Sequence, residues 1–229
     1  MVLPLYLAMT GAETASAPVL PGHWGYMACH FSPEGPGLSD LPEDLPPGTM
    51  VILNDRFPCR DHDPCRIAEE LGRLDIGSVL LDFERKPAAD AQKVANALFQ
   101  ALPCPVAAPP GFIEDPACAV FLPPCPLHAP LAEYLLPWQG RAIWLDVTLG
   151  QQTITVTHSG TVRSSPAPAD NLTGGTFDDA LLCQCLTEIG ESEVTFTLFD
   201  TMDTLRRKLA LAAELGVARA VGLYQELGK

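Results

Sequence analysis

The stretch Ser78-Val-Leu-Leu-Asp-Phe-Glu-Arg85 carries two carboxylates, Asp82 and Glu84, at the end of an apolar run. Alternate side chains of a β-strand share a face, so the two acids point one way and Phe83 points the other. Two acids held together at the end of a buried strand repel each other and are costly to desolvate, which raises the pKa of at least one of them. Such a carboxyl group suits general acid catalysis near neutral pH. The alternative interpretation is that the pair only marks where the strand meets water.

The apolar runs of the chain predict an α/β fold. Runs that begin near residues 3, 24, 49, 78, 105, 119, 141 and 218 have the composition of buried strands. Helical patterns lie between several of them. Asp63 is predicted to cap a helix that starts at Pro64, and residues 87–102 are predicted to form an amphipathic helix. A third helix is predicted over residues 201–215, where Gly216 stops it. Eight buried strands alternating with helices predict a (β/α)₈ TIM-type barrel. Because several connections lack a helical pattern, we expect the barrel to be trimmed.

A different pattern precedes the last strand. Residues 152–164 alternate threonine with apolar residues around a Ser159-Gly160 turn, which predicts an antiparallel β-hairpin. Residues 176–189 begin with a capping threonine and are predicted to form a helix. We therefore predict a single barrel domain over residues 1–229, with a small α+β insertion at about 150–192.

Composition limits the classes of partner. The chain of 229 residues is 47% hydrophobic and has a formal net charge of -14, so it lacks the basic surface that nucleic acid or an anionic membrane requires. A neutral glycan or oligosaccharide suits this charge better than a polyanion does. The apolar start of the chain is interpreted as the first buried strand, which predicts a cytoplasmic protein; a secreted or spore-associated protein is the alternative. No segment is apolar for long enough to span a bilayer.

The eight cysteines could form four disulfides, but a folded chain of this size does not need them. Cys29, Cys104 and Cys118 stand within or beside apolar runs, as buried free thiols do. Cys59, His62 and Cys65 lie close together in the sequence, but a structural zinc site needs four ligands and no second Cys pair stands at a suitable spacing. We predict neither a bound metal nor a cofactor.

Two stretches resemble a known family. The run from Asp75 to Pro87 resembles the fourth barrel strand of family 18 glycoside hydrolases, the chitinase-like fold, whose signature Asp-x-Asp-x-Glu follows a Gly and precedes a Pro. Residues 199–228 are similar to the end of that fold, and most of all to its spore-wall and LysM-associated branch. The resemblance implies that Glu84 protonates the glycosidic oxygen. It also implies that Asp82 orients the N-acetyl group of the substrate, which acts as the nucleophile.

Four further residues are predicted to line a substrate cleft. Tyr224 stands where the resembling proteins have a tryptophan beneath the sugar, and a tyrosine ring can also stack on a sugar face. Asp55, Asp146 and Glu226 lie at the ends of predicted strands, which is where barrel enzymes place their binding residues.

The chain departs from the family pattern at two places, and these leave other functions open. Leu80 occupies the first Asp position of the signature, and Phe121-Leu-Pro-Pro-Cys125 lacks the Tyr-Asp that commonly ends the sixth strand. A catalytically inactive chitinase-like module that binds a glycan or a protein is therefore an alternative. A third hypothesis is a different barrel enzyme in which Asp55, Glu84 and Asp146 hold a metal.

Overall fold

The protein consists of two compact units. The structure, a computed structural model, describes residues 2–17, 22–59, 62–166 and 172–228. The barrel unit contains Pro4–Pro123, Gly140–Asp146 and Val217–Lys229, and the second unit contains Pro124–Gln139 and Val147–Gly216. Within the described ranges, no helix has the length and apolar character that crossing a membrane would require.

Strands make up most of the regular structure. In chain order the described strands are β1 (Leu5–Met9), β2 (Trp24–Tyr26), β3 (His30–Phe31), β4 (Leu38–Ser39), β5 (Thr49–Asn54), β6 (Ile76–Asp82), β7 (Val106–Ala108), β8 (Ala119–Leu122), β9 (Ile143–Asp146), β10 (Gln151–Thr157), β11 (Val162–Pro166), β12 (Thr176–Asp178), β13 (Cys183–Ile189), β14 (Glu193–Phe199) and β15 (Val217–Leu223). The helices are α1 (Gly11–Ser16), α2 (Pro64–Gly72), α3 (Ala89–Ala101), α4 (Leu131–Leu135), α5 (Met202–Glu214) and α6 (Tyr224–Leu227), and a 3₁₀ turn at Leu136–Trp138 follows α4.

Eight parallel strands close into a barrel. They pair in the order β2-β1-β15-β9-β8-β7-β6-β5, and β5 returns to β2 through the pairs Gly25–Met50 and Tyr26–Val51. These are the eight strands that the apolar runs predict, so the predicted barrel is confirmed. One detail differs: the predicted strand near residue 24 is divided into β2 and β3, and β3 pairs with β4 in a short antiparallel extension beside β5.

The outward faces of the barrel strands pack against α2 and α3. Asp63 caps α2 as predicted, because its carboxylate accepts hydrogen bonds from the backbone N–H groups of Cys65 and Arg66. A single apolar cluster joins strands and helices and includes Val51, Leu53, Val79, Leu81, Phe83, Ile67, Leu71, Val94 and Leu98. The connection from β7 to β8 contains no helix in the described chain, as expected of a trimmed barrel.

The barrel interior is filled with side chains. A second apolar cluster takes members from seven of the eight barrel strands: Ala8, Met50, Ile52, Leu80, Ala107, Ala119, Phe121, Trp144 and Val221. Towards the amino-terminal ends of the strands, the Arg219 guanidinium lies 4.4 Å from the ring centroid of Trp144 and 5.2 Å from that of Tyr6, and it donates a hydrogen bond to the Ser78 hydroxyl. The interior is a packed core and not a channel.

The second unit contains a five-stranded antiparallel sheet in the order β11-β10-β14-β13-β12. The predicted hairpin is confirmed as β10 and β11, with Gly160 in a left-handed turn conformation. The predicted helix over residues 176–189 is wrong, since β12 and β13 occupy that range. The Asp178 carboxylate accepts the N–H groups of Ala180 and Leu181 in a turn, and Leu182 has a positive φ of 52°, so the helix is interrupted. The sheet also includes β14, just beyond the predicted limit near 192.

Helix α5 is anchored by a buried ion pair within the second unit. Thr201, where the predicted helix begins, caps α5, because its hydroxyl accepts the backbone N–H of Thr204. The Lys208 ammonium donates to both carboxylate oxygens of Asp200 at 2.7 and 2.9 Å, and the Thr204 hydroxyl donates to the same carboxylate at 3.0 Å. With each charge compensated, the pair is tolerated in a buried position.

We expect Gly77→Ala to destabilise the barrel. A Cβ atom at Gly77 would lie 2.3 Å from the backbone oxygen of Gly48, so backbone and not a flexible side chain would have to move. The expected loss in the free energy of unfolding is about 2 kcal/mol, measured by chemical denaturation. The control is Gly72→Ala, where an added Cβ meets nothing within 4 Å. Equal stability of the two variants would contradict the prediction.

Candidate functional site

The turn that carries Glu84 is held by Asp55. Asp55 directly follows β5 and is 8% exposed. One of its carboxylate oxygens accepts the backbone N–H of Glu84 and the other accepts that of Arg85, both at 3.0 Å. Hydrogen bonds to an ionised acceptor are among the stronger ones in proteins. Asp55 therefore fixes the position of the chain as it leaves β6.

Polar side chains form a row across three neighbouring strands at the carboxyl rim of the barrel. His30 of β3 pairs in register with Asn54 of β5, and Asn54 pairs with Asp82 of β6. The Asn54 amide donates to the Cys29 carbonyl at 3.0 Å, and its oxygen accepts the N–H of Arg56 at 3.1 Å. This is the end of a TIM-type barrel at which active sites are found.

Asp82 and Glu84 differ in environment although they are two residues apart. Burial, and to a lesser extent the nearby Glu84 and Asp55 carboxylates, together raise the pKa of Asp82 to about 6. Glu84 is exposed to solvent. The arrangement places a half-buried carboxyl group that titrates close to neutral pH beside an exposed carboxylate, which is a usable pair for acid–base chemistry.

Leu80 accounts for the low polarity beneath Asp82. The side chains of Leu80 and Asp82 share the interior face of β6, and Leu80 is 1% exposed within the interior apolar cluster. A buried leucine offers no charge or hydrogen bond to the carboxyl group above it. Leu80, the residue that departs from the family signature, is thus part of the continuous apolar layer in the barrel interior.

The remaining predicted site residues lie elsewhere on the barrel unit. Asp146 is the last residue of β9, three strands away from β6 in the sheet order, and it is half-buried. Tyr224 begins α6 and packs against the outer apolar cluster, while Glu226 is half-buried on the same short helix. Leu223, the last residue of β15 and the one directly before Tyr224, faces the barrel interior and is 45% exposed. Asp55 and the pair Asp82 and Glu84 thus belong to the adjacent strands β5 and β6, whereas Asp146 ends β9 on the same interior face as Trp144 and the other two belong to α6.

The residues considered for metal binding are engaged separately. All eight cysteines lie in the described ranges and each is a free thiol. The His62 ring nitrogen Nε2 lies 3.1 Å from the Ser32 carbonyl, and the Cys59 thiol faces the Asp90 carbonyl. Among the described residues no group of three or more His, Cys, Asp or Glu side chains is arranged to hold a metal ion.

Sequence reasoning missed the polar neighbours of the site. Asn54 ends the buried strand β5 and Arg56 follows Asp55. Because barrel enzymes place their binding residues at the carboxyl ends of strands, this position was enough to predict both as site residues. Asp40 gave no such signal, because it lies in a loop rich in Pro and Gly and reaches His30 only through the fold.

Comparisons with known proteins show the fold. The chain is similar to the crystal structure of the spore cortex-lytic enzyme SleL of Bacillus cereus, with a TM-score of 0.53 and 9% sequence identity over 96% of this chain and 70% of that one. It is also similar to the crystal structure of SleL of Bacillus megaterium, with a TM-score of 0.52 and 11% sequence identity over 99% of this chain and 71% of that one. A third similar structure is the C-terminal domain of a protein assigned as a chitinase in Desulfitobacterium hafniense, with a TM-score of 0.55 and 12% sequence identity over 98% of this chain and 94% of that one. No protein-family profile and no curated protein matches the sequence. The predicted resemblance to the chitinase-like barrel is confirmed at the level of the fold.

We expect Asp82→Asn to stabilise the protein increasingly as the pH rises. The pKa of Asp82 is about 6 in the folded chain and near 3.8 when unperturbed, so its contribution to stability is fully present below the lower value and is lost as the pH rises through the higher one. The advantage of the variant should grow by about 3 kcal/mol between about pH 3 and about pH 7.5. Denaturation across this range measures it, with Asp44→Asn at an exposed position as the control for the lost charge. A pH-independent difference between Asp82→Asn and wild type would refute the assignment.

We expect Asp55→Asn to weaken the turn after β6. An asparagine offers one carbonyl oxygen and turns its NH₂ group towards the second backbone N–H. The free energy of unfolding should fall by about 2 kcal/mol. Asp115→Asn is the matched control, since the Asp115 carboxylate accepts one backbone N–H in an exposed turn and an asparagine can replace it there. If both variants unfold like wild type, Asp55 does not hold the turn.

Proposed function

We propose that the protein is a glycoside hydrolase that acts on an N-acetylhexosamine-containing glycan, chitin-like or derived from peptidoglycan. The observation that carries the proposal is the Asp82–Glu84 pair at the carboxyl rim of a barrel whose fold is shared with enzymes described as cortex-lytic and with a domain assigned to a chitinase. Fold similarity alone does not establish an activity, so the argument depends on the pair.

In the proposed reaction Glu84 donates its proton to the glycosidic oxygen as the bond from that oxygen to the anomeric carbon breaks. The N-acetyl carbonyl oxygen of the substrate forms a new bond to the same carbon, and Asp82 orients the N-acetyl group. The raised pKa of Asp82 supports this role, because a carboxyl group that is partly protonated near neutral pH can donate a hydrogen bond as well as accept one. Water then opens the intermediate and restores the proton of Glu84.

The second candidate is a barrel that binds a glycan without cleaving it. Leu80 favours this function, since the family signature has a carboxylate where this chain has a buried apolar side chain. The residues after β8, Pro123 and Pro124, also lack the Tyr-Asp of the resembling proteins. Both candidates share the ligand class and differ in turnover.

We expect Glu84→Gln to remove hydrolysis while leaving the fold intact, because Glu84 is exposed. Release of product from N-acetylglucosamine oligomers and from peptidoglycan should fall by about 10²- to 10⁴-fold. Glu69→Gln, on the exposed side of α2, is the control and should retain wild-type activity. Equal product from wild type and Glu84→Gln would eliminate Glu84 as the acid. Binding of oligomers without product from any variant would select the binding module instead.

A further inference from the structure

The two edge strands of the five-stranded sheet differ in how they are covered. At one edge, β12 has three residues, and the Arg207 guanidinium of α5 lies 4.5 Å from the ring centroid of Phe177 on that strand. At the other edge, β11 has five residues, and all five side chains are exposed. The unpaired backbone groups of an exposed edge strand are a template for another strand. The sheet is therefore open to a partner along β11.

Two backbone N–H groups of β11 point away from the sheet. The Thr157 N–H donates to the Thr161 carbonyl at 3.0 Å, which makes these residues a hydrogen-bonded pair of the antiparallel ladder. Because such pairs alternate with non-bonded ones, every second residue of β11 directs its backbone groups outwards. The outward residues are Val162, Ser164 and Pro166, of which the proline has no N–H. Among the described residues, neither of the two outward N–H groups bonds to an acceptor beyond the sheet.

The hairpin holds this edge in a fixed shape. At the turn, the Thr157 hydroxyl accepts the Thr161 N–H at 3.1 Å and lies 2.8 Å from the Ser159 hydroxyl. Along the strands, the Gln152 side-chain amide donates to the Ser164 hydroxyl at 2.7 Å. An edge that is already ordered loses little conformational entropy when it pairs with another strand.

An apolar row crosses the sheet and ends at the same edge. The register pairs Val162 with Val156, Val156 with Val194, and Val194 with Ile189. The two ends of the row are the most exposed, Val162 at 63% and Ile189 at 82%. Contiguous apolar surface of this kind is typical of a site of protein–protein contact. A strand added beside β11 would continue the row and cover one side of Val162.

The charge distribution favours a second copy of the chain at this edge. The chain has a formal net charge of -14, so two copies repel each other over most of their surfaces. The hairpin from Gln151 to Pro166 contains no Asp or Glu, and Arg163 is its only Lys or Arg. A second copy can therefore approach β11 with little electrostatic repulsion.

We propose that β11 pairs with β11 of a second copy, antiparallel and about a two-fold axis at Ser164. Each Ser164 N–H then donates to the Ser164 carbonyl of the other copy, and each Val162 N–H donates to the Pro166 carbonyl of the other copy. All outward N–H groups of both strands are bonded in this arrangement. Pro166, which lacks a donor, lies at the two ends of the pairing, where proline is tolerated in a sheet.

The single cation selects this register. A two-fold axis at Arg163 would allow as many backbone hydrogen bonds, but it would place the two Arg163 side chains directly opposite each other, which is destabilising. The axis at Ser164 instead places Arg163 beside Ser165 of the other copy. On the opposite face it places Val162 beside Pro166, so the apolar row continues across the contact.

The first test measures the mass in solution by size-exclusion chromatography with light scattering, over a range of concentrations up to about 500 μM. The contact is small, so wild type should dimerise with a Kd of about 10–100 μM. Ser164→Pro removes an outward N–H that the isolated chain does not use, and it should weaken dimerisation by about tenfold or more while leaving the fold intact. Ser164→Ala, which keeps the backbone N–H, is the matched control and should dimerise like wild type.

The second test determines the register by disulfide trapping and does not depend on a proline variant. Ser164→Cys and Arg163→Cys are each made in a Cys65→Ser background, since Cys65 is an exposed free thiol. The axis at Ser164 puts the two Cα atoms of that residue about 5.5 Å apart, within the range of about 4.4–6.8 Å that a disulfide spans. The two Arg163 Cα atoms are then diagonal neighbours about 7–8 Å apart. We expect mild oxidation to cross-link Ser164→Cys and not Arg163→Cys.

The outcomes are decisive without any glycan, so the proposed function is not at stake in them. Wild type that remains a single chain up to about 500 μM would overturn the proposal. A dimer that Ser164→Pro forms as readily as Ser164→Ala would place the contact on another surface and overturn it as well. Cross-linking of Arg163→Cys as readily as Ser164→Cys would overturn the register.

Discussion

A strand of a closed barrel has only two faces, and this constraint determines the chemistry at β6. Leu81 and Phe83 face the helices, so Leu80 and Asp82 must face the interior. The interior must be packed as far up as Leu80 for the barrel to be stable. Asp82 is consequently the first polar group above an apolar layer, and the burial that follows raises its pKa. The alternation of side chains along β6 therefore determines both where the Asp82 carboxyl group lies and why its pKa is raised.

Three neighbouring carboxylates have separate roles because their hydrogen-bond partners differ. Asp55 is saturated by two backbone N–H groups and stabilises a turn. Asp82 has no comparable donors in the part of the chain that the structure describes, and its pKa responds to desolvation and to the charges of its neighbours. Glu84 lies in solvent at the end of the turn that Asp55 holds. Asp55 is a structural acid because backbone N–H groups point at its carboxylate, whereas the Asp82 and Glu84 carboxyl groups stay available for chemistry.

Much of the fold is predictable from local patterns. Buried strands show as continuous apolar runs, and the Asp63 cap locates the start of α2 because capping is a local interaction. Residues 176–189 mislead, since a capping threonine is also compatible with a strand and the decisive contacts are with β14. At the site, the sequence shows two acids directly after an apolar run, but β6 ends at Asp82, so strand period does not place Glu84. Its position depends on Asp55 reaching the Glu84 N–H, a contact between distant parts of the chain like that of His30 with Asp40.

The side chains at the amino-terminal end of the barrel bear on how a polymer can be handled. Arg219, stacked between Trp144 and Tyr6 and bonded to Ser78, closes the interior below the apolar layer. The barrel is blind-ended, so anything that enters at the carboxyl rim must leave by the same rim. A polymeric ligand therefore cannot pass through the barrel unit and reaches the barrel interior only at the carboxyl rim.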